Sequence, residues 1–161
     1  MIAISNGYYS DNTTESGFGG IYIANSSTLE VVTSFYMQDT FVSNNKALQG
    51  AAIYLSTKTL SNDSYIRNTT FENNKTDERG VVFLSFDAGI MEISDNLFQN
   101  NRGIESCISI NTNPNTDINP SYTKIQNNLY QSNEGIIISL LENILISNLQ
   151  LEKNEFTQNS G

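Results

Sequence analysis

Histidine and tryptophan are both missing from this chain of 161 residues, and cysteine occurs once, at Cys107. Without histidine the chain lacks the commonest general base and the commonest metal ligand. A single cysteine excludes an internal disulfide framework and any Cys-based zinc site. Cys107 stands in Ser106-Cys107-Ile108-Ser109-Ile110, a strand-like run where it reads as a small buried hydrophobe. Without tryptophan, stacking on sugar rings is left to Tyr and Phe. Basic residues are scarce: 8 Lys and Arg face 17 Asp and Glu, a net charge of −9. A surface of that sign repels nucleic acid and anionic membranes. No apolar run is long enough to span a bilayer, so no direct membrane insertion is expected. The opening Met1-Ile2-Ala3-Ile4 reads as strand and not as the basic start of an export signal. Proline occurs only at Pro114 and Pro120, inside the polar stretch 111–121, which is expected to be a loop projecting from the fold.

What the chain has in excess is asparagine, 23 of 161 residues. Asparagine is poor in helices and ordinary strands, but it tolerates left-handed backbone and caps its own turns. A chain that repeats one turn many times has a use for it. An AT-rich genome is a second source of the same excess.

The repeat is an aromatic residue, two variable residues, then Asn. It occurs at Tyr9 and Asn12, Phe41 and Asn44, Phe71 and Asn74, Phe98 and Asn101, Tyr130 and Asn133, and Phe156 and Asn159. The aromatics are 32, 30, 27, 32 and 26 residues apart. Two residues before each aromatic stands a small residue: Gly7, Asp39, Thr69, Asn96, Asn128 and Asn154. Five residues before it stands an apolar one: Ile4, Tyr36, Ile66, Ile93, Ile125 and Leu151. After the Asn, a loop leads into a second apolar strand. Aligned on the aromatic, Gly19-Gly20-Ile21-Tyr22-Ile23 superimposes on Ala51-Ala52-Ile53-Tyr54-Leu55 and on Val81-Val82-Phe83-Leu84-Ser85. Later copies of that strand are Cys107-Ile108-Ser109-Ile110 and Ile136-Ile137-Ile138-Ser139. A third strand is expected near residues 29–32, 90–93 and 144–146.

Segments of four to six residues, β-branched and bounded by Gly, Asn, Ser and Asp, are strands. A unit of about 26–32 residues cannot bury its inner face alone. Stacking the units in parallel, roughly 4.8 Å apart, pairs each strand with its equivalents above and below. The expected fold is therefore all-β, a right-handed parallel β-helix (solenoid) of 5–6 turns. Tyr9, Phe41, Phe71, Phe98, Tyr130 and Phe156 are expected to form an internal aromatic ladder. Asn12, Asn44, Asn74, Asn101, Asn133 and Asn159 fall out of strand parity with it. They are expected in turns, accepting left-handed geometry or hydrogen-bonding the same Asn of the next turn.

Phe41-x-x-Asn44 followed by Gly50-Ala51-Ala52-Ile53 resembles the FxxN and GGA(I/L/V) motifs of polymorphic outer-membrane-protein repeats. Tyr9-x-x-Asn12 with Gly19-Gly20-Ile21 resembles a second copy. More broadly, the chain is similar to the pectin-lyase-like right-handed parallel β-helix superfamily over nearly its whole length. The full double motif stands only in the first two turns. The resemblance to the outer-membrane repeats implies a surface-exposed passenger domain used in adhesion, and fold by itself does not fix function.

Some relatives of that superfamily cleave polysaccharides with clustered acids. Here Asp11, Asp39, Asp63, Asp77, Asp87, Asp95 and Asp117 are scattered, and Asp77-Glu78-Arg79 reads as a solvated loop. No calcium-binding nonapeptide or EF-hand loop is present. No catalytic residue, metal ligand or cofactor is expected. Sequons stand at Asn12, Asn25, Asn62, Asn68 and Asn74. The composition alone accounts for about five, since Ser and Thr number 33. Asn12 and Asn74 coincide with the turn ladder, which leaves Asn25, Asn62 and Asn68 as glycan acceptors.

Both ends cut a turn part-way with no visible cap. The expectation is a single segment, 1–161, of a longer solenoid; pairing of the ends with like subunits in a filament is the alternative. The expected function is a non-catalytic structural or adhesive module of an extracellular or cell-surface protein. Its partners would be the rest of the same chain, like subunits, glycans or other surface proteins. A carbohydrate-binding or polysaccharide-cleaving protein is the runner-up, with an intracellular scaffold as a third reading.

Overall fold

Alternation of inward apolar and outward polar residues every second position dictates how the chain wraps. The structure, a computed structural model, describes residues 1–15, 17–25, 31–111, 121–140 and 149–161. The described residues form a parallel β-solenoid of about five turns with no helix. The first sheet stacks Ile2–Ser5, Phe35–Gln38, Ser64–Arg67, Gly89–Ser94, Ser121–Gln126 and Leu149–Glu152, all parallel. The second stacks Tyr8–Ser10, Phe41–Ser43, Thr70–Glu72, Leu97–Gln99, Leu129–Gln131 and Glu155–Thr157. The third contains Ile21–Ala24, Ile53–Ser56, Val82–Ser85, Arg102–Asn111 and Glu134–Leu140, and the short strands Lys46–Ala47 and Lys75–Thr76.

The core runs along the axis. In the first sheet Ile4, Met37, Ile66, Ile93, Ile125 and Leu151 share one register position. In the second sheet that position is held by Tyr9, Val42, Phe71, Phe98, Tyr130 and Phe156. Phe71, Phe98 and Tyr130 are fully buried, and their rings stack at 4.7 and 5.0 Å. Phe156 continues the stack at 4.8 Å but is 54% exposed, because it lies on the last described turn. Each buried ring contributes about 2–3 kcal/mol from area alone.

The second turn departs from the repeat as the motif places it. Val42, not Phe41, occupies the inner column, and Phe41 faces outward, stacked on Tyr8 at 5.2 Å. The same one-residue shift puts Met37 where Tyr36 is expected and Thr40 where Asp39 is expected. Side-chain period fixes the reason: a slip of one residue exchanges the two faces. Burying Met37, Val42 and Ala47 leaves Tyr36, Asp39 and Asn44 on the outside. The third turn shifts likewise: Val82 pairs with Ile53, so Gly80-Val81 replaces the small pair of the earlier turns. Of the expected third strand, residues 90–93 belong to the first sheet, and Val32 joins a two-stranded sheet of Val32–Thr33 with Thr59–Leu60. Residues 29, 30 and 144–146 lie outside the described residues, as do 112–120 of the proline-containing loop.

Candidate functional site

Two corners of every turn are made by a pair of residues, the first in left-handed conformation and the second aimed inward. Between the first and second sheets the left-handed residues are Asn6, Asp39, Asn68, Asp95, Asn127 and Lys153, with φ between 46° and 57°. After the second sheet they are Asp11, Asn44, Asn73, Asn100, Ser132 and Gln158. Asn and Asp adopt this region at the lowest cost among residues with a Cβ. Six asparagines serve that purpose (6, 44, 68, 73, 100 and 127).

Nine others build two ladders. The longer consists of Asn12, Asn45, Asn74, Asn101, Asn133 and Asn159. Asn101 represents the rest. Its Oδ1 accepts from the Asn74 backbone N–H at 3.0 Å and the Asn74 Nδ2 at 3.1 Å. Its own Nδ2 donates to the Phe71 carbonyl at 2.9 Å and to Asn133 Oδ1 at 3.1 Å. Both donors and both acceptor positions of the amide are used, which is the condition for burying it. Asn45, Asn74, Asn101 and Asn133 are at most 1% exposed. The rung in the second turn is therefore Asn45. Asn44 is the left-handed residue before it and carries no ladder bond. In every turn the left-handed geometry falls to the residue before the ladder Asn, so the two roles expected as alternatives for one residue belong to two neighbours.

The second ladder joins Asn96, Asn128 and Asn154 in the same way. Thr69 caps it, its N–H donating to Asn96 Oδ1 at 2.9 Å. The sequence marks these positions only as small and polar. The signal for the ladders is the doubled Asn-Asn or Asp-Asn pair, present at 11–12, 44–45, 73–74 and 100–101 for the long ladder and at 95–96 and 127–128 for the second.

On the outer face of the solenoid, aromatic rings stack along the third sheet. Tyr22, Tyr54 and Phe83 share one outward register position. Tyr22 and Tyr54 lie 5.4 Å apart and Tyr54 and Phe83 4.9 Å apart, within 20° of parallel. Phe18 leans on both Tyr22 and Tyr54, and the Arg79 guanidinium sits 5.7 Å from the Phe83 ring. Tyr22 is 55% exposed and Phe18 38%. Partial burial, then the neighbouring Tyr22, raise the Tyr54 hydroxyl above its ordinary pKa. The rings cover one another's faces; Phe18 and Tyr22 are exposed, Tyr54 is half-buried, and Phe83 is buried. A sugar ring needs an open face to stack on, so this strip suits edge contacts and hydrogen bonding better than pyranose stacking.

The acidic and thiol groups of the fold lie apart. Among the described residues, no three His, Cys, Asp or Glu side chains gather at one point. Glu78 accepts a hydrogen bond from Gln49 at 2.9 Å. Asp63 accepts from the Tyr36 hydroxyl at 2.8 Å. Its pKa is lowered by hydrogen bonds from Ser61, then Tyr36. Cys107 is buried, and desolvation pushes its thiol up to about 12, which makes it a poor nucleophile. Glu105 is engaged by the hydroxyls of Ser109 and Ser139 on the outer side of the third sheet.

Of the sequons, Asn74 is sealed in the ladder, whereas Asn12, on the first turn, is exposed with its amide donated to Ser10 and Asn45. Asn62 and Asn68 are exposed and Asn25 is half-buried. Asn68 donates to Asp39 Oδ1.

No protein-family profile, no curated protein and no solved structure matches the chain.

Proposed function

We propose that the chain is a non-catalytic structural module of an extracellular or cell-surface protein, one that holds a straight face in position for adhesive contact. The observation that carries this reading is the outward strip of Phe18, Tyr22, Tyr54 and Phe83, in which Phe18 and Tyr22 are exposed on a rigid sheet, Tyr54 is half-buried and Phe83 is buried. Aromatic side chains bring much contact area at low entropic cost, and exposed groups of them mark interaction surfaces. The two Asn ladders support the same reading, because their side-chain bonding between turns stiffens the solenoid along its axis. A protein surface is the partner the strip suits, since the rings cover one another's faces. Secretion is part of the proposal, with Asn62 and Asn68 as the exposed glycan acceptors.

The test couples beads to the chain and measures their adhesion to cultured cell surfaces under flow. The variant Phe18→Ser/Tyr22→Ser, which alters only outward residues, is expected to lose most of that adhesion while remaining folded, with a modest drop in thermal stability from the lost ring contacts. Equal adhesion by the variant would remove the strip from the reading. Release of reducing or unsaturated sugar ends from a polysaccharide panel would replace it with an enzyme.

A further inference from the structure

Three of the eight basic residues stand in one register position on successive turns: Lys46 pairs with Lys75, and Lys75 with Arg102. Like charges side by side on adjacent parallel strands repel. Arg102 finds a carboxylate on its far side, Glu134 at 3.4 Å. Among the described residues, neither Lys46 nor Lys75 has an ion-pair partner. Beside this column, toward the left-handed corner, lies an open groove of about 370 Å³. It is lined by Asn73, Asn74, Lys75, Asn100, Arg102 and Ser132, and no carboxylate enters the lining. In a chain with 17 acids and 8 bases, that is a local reversal of sign. The amide of Asn74 is consumed by the ladder, but those of Asn73 and Asn100 are exposed and make no hydrogen bond within the described fold. Asp77 and Glu134 line a second groove on the opposite side of the column, which Lys75 and Arg102 border as well.

We infer that this groove binds a tetrahedral oxyanion carried as an ester on a sugar, a sulfated or phosphorylated monosaccharide unit. Lys75 and Arg102 flank the anion and relieve their mutual repulsion through it; a guanidinium and an ammonium with neutral amide donors form the set such oxyanions take. The volume exceeds a bare ion and suits one sugar, whose hydroxyls meet the Asn73 and Asn100 amides. The net charge of −9 disfavours long polyanions and selects a ligand with one or two charges near the site. This site is separate from the aromatic strip and does not rest on the adhesive reading.

The experiment is a 1H–15N titration of the full chain with glucose 6-sulfate, glucose 6-phosphate, inorganic sulfate and glucose, following the side-chain amides of Asn73 and Asn100. Saturable shifts with one or both esters and none with glucose are expected; which ester binds identifies its source. The variant Lys75→Gln, which breaks no ion pair, and the double variant Lys75→Gln/Arg102→Gln are titrated alongside. The double variant is expected to weaken ester binding by at least about tenfold. No saturation with either ester, or equal affinity in the folded double variant, overturns the site. Inorganic sulfate binding as tightly as the esters overturns the sugar assignment.

Discussion

Removing one rung of the long ladder tests the fold at the point where its energetics are most specific. In Asn101→Ala the methyl group fills little of the space, and four hydrogen bonds disappear together. Two partners are left worst off. The Asn74 backbone N–H and one Asn74 amide hydrogen lose their acceptor, and Asn74 is 1% exposed, so water does not replace it. Each buried donor stranded this way costs about 1–3 kcal/mol. Asn133 Oδ1 loses one of two donors and the Phe71 carbonyl loses the amide, which adds less because both are acceptors with a second lone pair. The sum is a loss of about 3–6 kcal/mol, a large part of the 5–15 kcal/mol that holds a domain together. Its neighbour supplies the control. Asn100 has φ of 54° and no rung to make, so Asn100→Ala costs only the left-handed strain of a plain Cβ, about 1 kcal/mol. Asn100→Gly relieves that strain. Urea titration followed by circular dichroism and by tyrosine fluorescence measures all three. The reasoning fails if Asn101→Ala and Asn100→Ala lose the same amount, or if the first loses less than about 1 kcal/mol.

Further outcomes follow from other buried groups. Phe71→Ala is expected to lose about 3–5 kcal/mol as a cavity in a fully buried stack, and Phe41→Ala much less; equal losses in denaturant titration would restore Phe41 to the core. Tyr130→Phe is expected to hold or raise the unfolding midpoint, because its hydroxyl is buried with no hydrogen-bond partner among the described residues; a clear drop would reveal a partner. Cys107 is expected to resist alkylation until the chain unfolds, so the rate of iodoacetamide labelling should rise with urea in step with unfolding. An alkaline limit is set jointly by the Tyr130 hydroxyl, which burial raises well above its ordinary pKa, and by the same thiol. The thiol's folded pKa of about 12 lies above the unfolded value, so its contribution is complete below about pH 8.5 and is lost as pH rises toward 12. Cys107→Ala is expected to make that part of the stability profile shallower, leaving the share of Tyr130 in place.

The architecture was legible because the repeat couples two signals of different period. Aromatics recurring every 26–32 residues fixed the stacking, and alternation within each short segment fixed which residues are strands. The register within a turn was harder to read. In the second turn Phe41-Val42 offers two residues able to fill the inner column, and Asn44-Asn45 offers two able to form the rung. The aromatic motif favours the first of each pair. Packing decides for the second of each, because the slip that buries Val42 also buries Met37 and brings Asn45 within 3.0 Å of Asn74 Oδ1. A motif anchored on one aromatic carries none of that mutual consistency, whereas a ladder position is judged by its neighbours above and below.

The surface sites were less legible for a related reason. Lys46, Lys75 and Arg102 lie 29 and 27 residues apart, and nothing local sets them off from other loop cations. They become a column only when the turns are stacked in the register that the core imposes. The outward aromatics behave the same way: Tyr22, Tyr54 and Phe83 align because Ile21, Ile53 and Val82 are buried one position earlier. In a solenoid each outward column inherits its alignment from an inward one, so a one-residue error in the core rewrites every surface site on that turn. The Asn ladders limit that error physically. A slipped turn would put the left-handed residue into the rung and strand the buried amides on both sides. The residues that mark this chain by their abundance are therefore the ones that hold its surface columns in line.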